Sequence, residues 1–313
     1  MNLSEITVVI PVWQCAERLQ KHFEVVRRLS AAGCPTVWVC TWSEDGSHQL
    51  AKEESERIGG RYFLTPRGLY ESWNKGIKES LAPFTYISTV GESILPEGLA
   101  HLWDLIRKVE ADIVFSPPLL SSNERDRRQI LRWPVFKNTH KLKVFDQKVI
   151  PTSLIGSIQS SSGFSCLLGS FSSCLCRTLF MKEHAFPTRF HHYGDTAWFS
   201  MNLSLCRVAY SHRAVADFQI HEGPARIINP SHYRVFLRSI TRNIYRKGSF
   251  MRSVILRYCL YIRYLDFKRG AHPRRYWYLK PKVFYVRILR GFCESLMNIR
   301  SLYLVYSCRK RGL

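Results

Sequence analysis

The sequence has no apolar run long enough to cross a bilayer. Its nearest approach, Val254–Leu265, is interrupted by Arg257 and Arg263, whereas a membrane-spanning helix needs about 20 predominantly apolar residues. The amino-terminal stretch MNLSEITVVIPV contains Glu5 and no basic segment, which is not the pattern of a secretory signal. We therefore expect a chain that neither spans a membrane nor is exported.

Paired cysteine motifs are also missing. The chain has 10 cysteines but no CxxC pair, and Cys174 and Cys176 are separated by one residue. A structural zinc site usually uses such pairs, and the thiols of a protein that is not exported stay reduced. We predict free thiols and no structural zinc.

Acidic residues are scarce in the last part of the chain. Residues 231–313 hold 20 of the 46 Lys and Arg residues but only two acids, Asp266 and Glu294, so they carry +18 of the total charge of +22. Residues 1–230 carry the remaining +4. This contrast predicts a folded domain at 1–230 and a basic extension at 231–313 that is suited to anions.

The extension has the periodicity of amphipathic helices. A basic residue recurs at every fourth position, which places a basic stripe along one side of a helix: Arg234, Arg238, Arg242 and Arg246. The favoured partner is an anionic membrane surface. Packing on the domain, or a homo-oligomer formed through the apolar face, is the second interpretation. Nucleic acid ranks last, although basic residues interleaved with aromatics also suit a phosphate backbone.

Residues 1–115 alternate between strand and helix patterns. Strands are predicted from continuous apolar, β-branched runs, and helices from apolar residues at helical spacing. In order, the predictions are strand Ile6–Val12, helix Cys15–Ala32, strand Thr36–Thr41, helix Gln49–Ile58, strand Arg61–Leu64, a helix led by Gly68, strand Phe84–Ser88, helix Leu99–Ala111 and strand Asp112–Phe115. This order predicts an α/β fold with a doubly wound, mostly parallel sheet.

The rest of the domain has a weaker pattern. Ser116–Ser162 combines prolines, serines and a charged cluster, and we predict loops and short strands that form a lid on the acceptor side. The later predictions are strand Phe171–Arg177, helix Asp195–Leu205 and strands Val208–Tyr210 and Ala216–His221.

Acids follow two of the predicted strands. Asp45 lies in a Ser-Glu-Asp-Gly-Ser turn after the second strand, and Glu92 lies just past Phe84–Ser88. Ligands of such sheets bind beyond the carboxyl ends of strands, so both acids are candidates for a ligand or cofactor site. Plainer interpretations are an Asp-Gly turn for Asp45 and a solvated turn acid for Glu92.

Four sequence blocks in the same order resemble the GT-A-fold glycosyltransferases of family 2, which are inverting enzymes that use nucleotide-diphosphate sugars. The resemblance covers roughly Ile6 to His221 and implies a Rossmann-like nucleotide-binding half and an acceptor half. The blocks are ITVVIPVWQ from Ile6, the turn Ser43–Ser47, Gly68 with SWNKGI at 72–77, and YGDTAW from Tyr193.

The resemblance implies nucleotide-binding roles for residues of the first three blocks. Pro11 and Val12, at the end of the opening strand, would contact the nucleotide. Asp45 would recognise its base, and Asn74 would belong to the donor site. Arg67, just before the third block, is a candidate for a phosphate contact, and an ordinary surface position is the alternative.

The resemblance also implies a base and a metal site. Asp195 would be the general base that takes the proton of the acceptor hydroxyl, although an aspartate there also suits a helix cap. Glu92 and His221 would bind a divalent metal, Mn²⁺ or Mg²⁺. Family members usually have two aspartates at the metal motif, and here the pair is Gly91-Glu92. Trp73 and Trp198 are expected to be core aromatics.

The sequence thus predicts a glycosyltransferase (hexosyltransferase type) that moves a sugar from a UDP- or dTDP-type donor to a glycan or lipid-linked acceptor, in cell-surface polysaccharide synthesis. We expect it to be cytoplasmic and peripheral on the inner face of the membrane. Two alternatives come from other classes: a non-catalytic, membrane-docked scaffold that retains the fold, and a basic nucleic-acid-binding protein.

Overall fold

The first apolar run of the sequence forms the central strand β1 (Ile6–Val12), and all of its residues are buried. It pairs in parallel with β2 (Thr36–Cys40) on one side and with β4 (Phe84–Ile87) on the other. Beyond β2 lies β3 (Arg61–Leu64), also parallel. The carboxyl ends of these four strands therefore meet at one edge of the sheet, as the predicted strand order requires.

The computed structural model describes residues 2–120, 123–162 and 166–218. His221, the end of the last predicted strand and the basic extension at 231–313 lie outside the described residues. Within the described ranges, no helix combines the length and the apolar character needed to cross a membrane.

Helices connect these strands, which confirms the predicted alternation. The connecting helices and the one that follows β4 are α1 (Ala16–Ala31), α2 (Ser47–Arg57), α3 (Leu69–Glu79) and α4 (Pro96–Lys108). One face of β1, with Val8 and Ile10, shares a core with α1 and α4. On the other face α3 lies so close that a Cβ on Gly76 would collide with Val9.

The second half of the sheet is mixed. The antiparallel strand β8 (Cys174–Arg177) lies between β4 and β6 (Ile113–Phe115). Next to β6 comes parallel β9 (Val208–Tyr210), and β7 (Lys148–Val149) forms the edge. The order β3-β2-β1-β4-β8-β6-β9-β7 gives an eight-stranded sheet. A separate antiparallel pair joins β5 (Ser93–Ile94) to β10 (Ala216–Asp217).

The prediction of loops and short strands at Ser116–Ser162 is wrong in the main, because the described part of this segment is largely helical. Asn123 caps α5 by accepting hydrogen bonds from the backbone N–H groups of Arg125 and Asp126, and the last helix buries Leu154 and Ile158. The helices are α5 (Glu124–Ile130), α6 (Pro134–Lys137), α7 (Thr139–Leu142) and α8 (Thr152–Ser161).

The segment after α8 builds a second core. The predicted strand at Phe171–Arg177 is half right, because Phe171–Ser173 forms a 3-10 turn before β8 begins. Two helices follow, α9 (Thr178–Glu183) and α10 (Gly194–Asn202). Trp73 and Trp198 are buried together with aromatic and aliphatic residues of these elements, which confirms their prediction as core aromatics.

Candidate functional site

Three of the predicted site residues lie in the loops that follow β2, β3 and β4, and two more lie at the end of β1. Pro11 and Val12 are buried in the last part of β1, and the Val12 carbonyl accepts a hydrogen bond from the N–H of Thr41. The chain then turns sharply, because Gln14 has a positive φ of 44°, which is uncommon for a residue other than glycine. The end of β1 is thus buried and hydrogen-bonded, and the chain turns directly after it.

Asp45 ties the turn after β2 to the start of α1. Its Oδ2 accepts a hydrogen bond from the N–H of Ala16 at 3.0 Å, and its Oδ1 accepts from the N–H and the hydroxyl of Ser47. Partial desolvation raises the pKa of Asp45, but these hydrogen bonds, with one from Ser43, outweigh it and lower the pKa below its ordinary value. The carboxylate is therefore an exposed, ionised group whose orientation is fixed.

Arg67 lies over the first of these loops. Its guanidinium carbon is 4.2 Å from the ring centroid of Trp13, the residue that follows β1, which is a cation–π geometry. Arg67 itself is exposed. The positive charge of Arg67, in the loop after β3, thus lies over the aromatic ring that directly follows β1.

Asn74 has a well-defined structural partner. Its Nδ2 donates a hydrogen bond to the carbonyl of Phe186 at 2.8 Å, and its Oδ1 accepts from the N–H of the same residue at 2.8 Å. The amide therefore binds the backbone between α9 and α10 to helix α3. A donor-binding role for Asn74 stays a prediction.

Glu92 lies in a tight turn after β4, and it is not the solvated acid of the plainer interpretation. It is only 5% exposed, and hydroxyl groups of Ser170 and Ser172 donate hydrogen bonds to its carboxylate. Burial raises the pKa of Glu92 to about 7, although these two hydrogen bonds lower it. Gly91 has a φ of 97°, a conformation that glycine adopts without strain and aspartate does not favour.

Helix α1 fixes the same turn from the other side. The ring of His22 and the hydroxyl of Ser88 are hydrogen-bonded at 3.1 Å, and Arg18 donates to the carbonyl of Val90. Burial lowers the pKa of His22 to about 4, so the ring is neutral at pH 7. The turn at Gly91 is therefore anchored on both flanks.

The described residues do not fit the divalent metal that the resemblance implies. Glu92 faces serine hydroxyls rather than an open edge, and no group of three or more His, Cys, Asp or Glu side chains in the described ranges could hold an ion. His221 lies outside those ranges. The seven described cysteines are buried and free.

Asp195 lies at the start of α10, in a partly buried position. Its Oδ1 accepts hydrogen bonds from the N–H and the hydroxyl of Thr196, and the hydroxyl of Tyr70 in α3 interacts with the same carboxylate. Burial raises the pKa of Asp195, and these hydrogen bonds oppose the rise. His191, three residues before this helix, has a positive φ of 47°. The segment that leads into α10 is therefore strained, as the turn at Gln14 is.

Comparison with solved structures identifies the fold. Residues 1–349 of S. aureus TarS in complex with UDP match with a TM-score of 0.60 at 13% identity, covering 100% of this chain and 92% of that chain. The same fragment with UDP-GlcNAc matches with a TM-score of 0.59 at 14% identity and the same coverage. The chain has the GT-A fold. The mannosyltransferase PcManGT from Pyrobaculum calidifontis, in complex with GDP-Man and Mn²⁺, matches with a TM-score of 0.55 at 11% identity, covering 96% of this chain and 87% of that chain.

No protein-family model matches this GT-A chain, and no curated protein sequence matches it either. The likeness of this chain to the solved structures is therefore a likeness of fold.

Three features of the candidate site were not predicted from the sequence. Tyr70 is buried against the start of α10, and Arg67 lies over the ring of Trp13. The hydroxyl groups of Ser170 and Ser172 form hydrogen bonds with Glu92. Trp13 was detectable, because an aromatic residue directly follows a predicted strand. The serines were not, since nothing in a Ser-rich segment indicates that a carboxylate lies nearby.

Proposed function

We propose that this chain is a glycosyltransferase that uses a nucleotide-diphosphate sugar. The observation that carries the proposal is the placement of Trp13, Asp45 and Arg67 just after three adjacent parallel strands, β1, β2 and β3, with Arg67 over the ring of Trp13. This edge is where open α/β sheets bind nucleotides. The fold likeness to structures whose ligands are UDP, UDP-GlcNAc and GDP-Man supports the same reading.

In the proposed complex the donor lies across the loops after β1 to β3. Asp45 accepts a hydrogen bond from the nucleobase, because its carboxylate is ionised and held in place. Pro11 and Val12 form the floor beneath the nucleoside. Arg67 contacts the diphosphate, and its charge stabilises the phosphate oxygens as the leaving group develops. Asn74 shapes the donor site from α3.

The proposed reaction is a single displacement. A hydroxyl oxygen of the acceptor attacks the anomeric carbon from the face opposite the diphosphate. The bond between that carbon and the diphosphate oxygen breaks as the new bond forms, and the nucleoside diphosphate leaves with the bonding electrons, which inverts the configuration. Asp195 takes the hydroxyl proton, and burial favours this because it makes the carboxylate a stronger base.

A divalent cation, Mn²⁺ or Mg²⁺, would neutralise charge on the diphosphate, but the proposed reaction has no step through one, because the described residues do not fit it. Glu92, and His221 beyond the described residues, are the ligands that the resemblance implies. Glu92 would meet a cation only after its carboxylate leaves Ser170 and Ser172.

The wider setting is proposed on sequence grounds. The donor is of UDP or dTDP type, and the acceptor is a glycan or a lipid-linked glycan of cell-surface polysaccharide synthesis. The extension at 231–313 holds the enzyme on the inner, anionic face of the membrane, and a homo-oligomer formed through the same extension is the alternative use of its apolar face.

The test uses the full chain and three donors, UDP-GlcNAc, GDP-Man and dTDP-glucose. We expect one of them to bind in calorimetry and to be hydrolysed slowly in the absence of acceptor. Asp195→Asn should keep donor affinity and lose turnover, whereas Asp104→Asn, an exposed carboxylate on α4, should keep both. Turnover by Asp195→Asn near the unmodified rate would show that Asp195 is not the base.

One observation favours a second candidate, a non-catalytic scaffold that keeps the fold. Glu92 is sealed by serine hydroxyls at the position where the resemblance implies a metal ligand. This candidate predicts donor binding without turnover in the unmodified chain, for every donor and with or without Mn²⁺.

A further inference from the structure

Tyr70 is a buried phenol beside the proposed base. It lies in the first turn of α3, is 3% exposed, and its hydroxyl interacts with the carboxylate of Asp195. A buried phenol usually has a hydrogen-bond partner, and the polar group beside this one is a carboxylate from a helix far along the chain. The first turn of α3 and the start of α10 are thereby joined at this pair.

Gly194 shows how closely these two helices approach. A Cβ added at Gly194 would collide with three atoms of the Tyr70 ring, and the glycine has an ordinary helical φ of −63°. The need for glycine is therefore steric rather than conformational. The phenol reaches the side chain of the next residue, Asp195, only because position 194 has no side chain.

The ring of Tyr70 is fixed on its other sides. Phe186 stacks on it with centroids 5.6 Å apart, and Trp73 meets it edge-on at 5.2 Å. Phe186 is held in turn by the amide of Asn74. Since neither the ring nor its support can shift without breaking these contacts, the hydroxyl occupies a defined place.

We propose that Tyr70 is a positioning residue for Asp195, whose hydroxyl orients the carboxylate and favours its ionised form for proton transfer. The inference deepens the proposed function and rests on it for its catalytic meaning. The contact between the two side chains is independent of any reaction. A donor to a carboxylate stabilises the charged form, and Tyr70 makes this contact from an element that Asp195 does not belong to.

Three other residues, Thr196, Cys166 and Cys174, face the carboxylate of Asp195. Thr196 donates from α10 itself, and the buried thiols of Cys166 and Cys174 interact with the carboxylate from the segment before β8 and from β8. Burial holds the pKa of both thiols well above its ordinary value, so they stay neutral. Among these groups, Tyr70 and Thr196 provide the side-chain hydroxyl groups.

The decisive experiment measures the titration of Asp195 without a substrate. The full chain is labelled with ¹³C at the aspartate carboxyl carbons, and Asp195→Asn assigns the resonance. We expect Tyr70→Phe to move the titration midpoint of Asp195 upwards by about one pH unit, the size of one hydrogen bond to a charged group. Tyr62→Phe, which loses a phenol hydrogen bond to the carbonyl of His48, should leave the midpoint unchanged.

A second variant protects the test against a folding defect. Gly194→Ala keeps the phenol but pushes the ring away, so it should raise the midpoint in the same direction. An unchanged midpoint in Tyr70→Phe, with the chain folded, overturns the inference. If Asp195→Asn still turns over donor while Tyr70→Phe shifts the midpoint, the proposed base is wrong and the positioning contact stands.

Discussion

Asn74 and Phe186 are joined by two hydrogen bonds of 2.8 Å each, one in each direction between the side-chain amide and the backbone. The two residues are 112 positions apart. A side-chain amide can donate and accept at the same time, so the pair fixes α3 to the chain that leads into α10. The proposed donor side and the proposed base are thus connected through one side chain.

The first prediction concerns this pair. Asn74→Ala should lower the free energy of unfolding by about 1–3 kcal/mol, since two buried backbone groups lose their partner. Asn74→Asp keeps the acceptor but loses the donor, so it should also destabilise the protein. Denaturant unfolding measures both.

The control for Asn74 is Asn2→Ala, which removes an exposed hydrogen bond to the N–H of Ser4 and should have little effect. If Asn74→Ala kept full stability and lost only nucleotide affinity, Asn74 would be a ligand-binding residue rather than a structural one.

The parallel half of the fold was predictable because its strands β1, β2 and β4 are buried on both faces. A strand such as β1 reads as a continuous apolar run, and its bounds Ile6–Val12 match the prediction in full. The same is true of β9, Val208–Tyr210. The segment after Phe115 was not predictable in this way, because α6 and α7 are only four residues long and the apolar residues of α8 alternate with serine, threonine and glycine.

The candidate site was likewise predictable only in part. The positions of Asp45 and Glu92 after strands follow from the sequence pattern, since carboxyl ends of parallel strands share an edge. Their environments do not follow from it. The serine partners of Glu92 come from a segment more than 70 residues away, and the contact of Tyr70 with Asp195 depends on how α3 packs against α10. Tertiary partners, not local pattern, decide these environments.

The second prediction concerns Arg67. Arg67→Ala should weaken binding of UDP, the ligand of the matched TarS structure, because the exposed guanidinium over Trp13 is the proposed diphosphate contact. The difference from the unmodified chain should shrink as salt is added, since exposed charges are screened. Calorimetry at two ionic strengths measures it.

Lys52→Ala is a suitable control for Arg67, because it removes an exposed positive charge from α2 whose only described ion pair is the long contact with Glu56. Equal loss of affinity in both variants would mean that net charge, rather than the position of Arg67, attracts the nucleotide.

The third prediction is a pH dependence from His22. Its folded-state pKa of about 4 lies below the ordinary value of 6.5, so between these values the unfolded chain binds a proton that the folded chain does not. Its contribution to stability is complete above pH 6.5 and is lost as the pH falls towards 4, by about 3 kcal/mol in all. His22→Gln should remove this slope.

The quantity to measure for His22 is the difference in unfolding free energy between the unmodified chain and the variant, because all other titrations are common to both. Ser88→Ala is the matched control: it loses the same hydrogen bond but keeps the buried imidazole, so it should keep the slope. A difference that stays constant from pH 7 to pH 5 would contradict the buried, neutral ring.

The last prediction concerns Glu92 and the metal. Bringing this carboxylate to a cation would break its hydrogen bonds with Ser170 and Ser172, and the turn that carries it is fixed by His22 and Arg18. We therefore expect the affinity for UDP to be the same in Mn²⁺ and in chelator, for the unmodified chain and for Glu92→Gln. Glu97→Gln, an exposed residue of α4, is the matched control. If Mn²⁺ tightened binding in the unmodified chain and in Glu97→Gln but not in Glu92→Gln, then Glu92 would be a metal ligand and nucleotide binding would have to open the serine contacts.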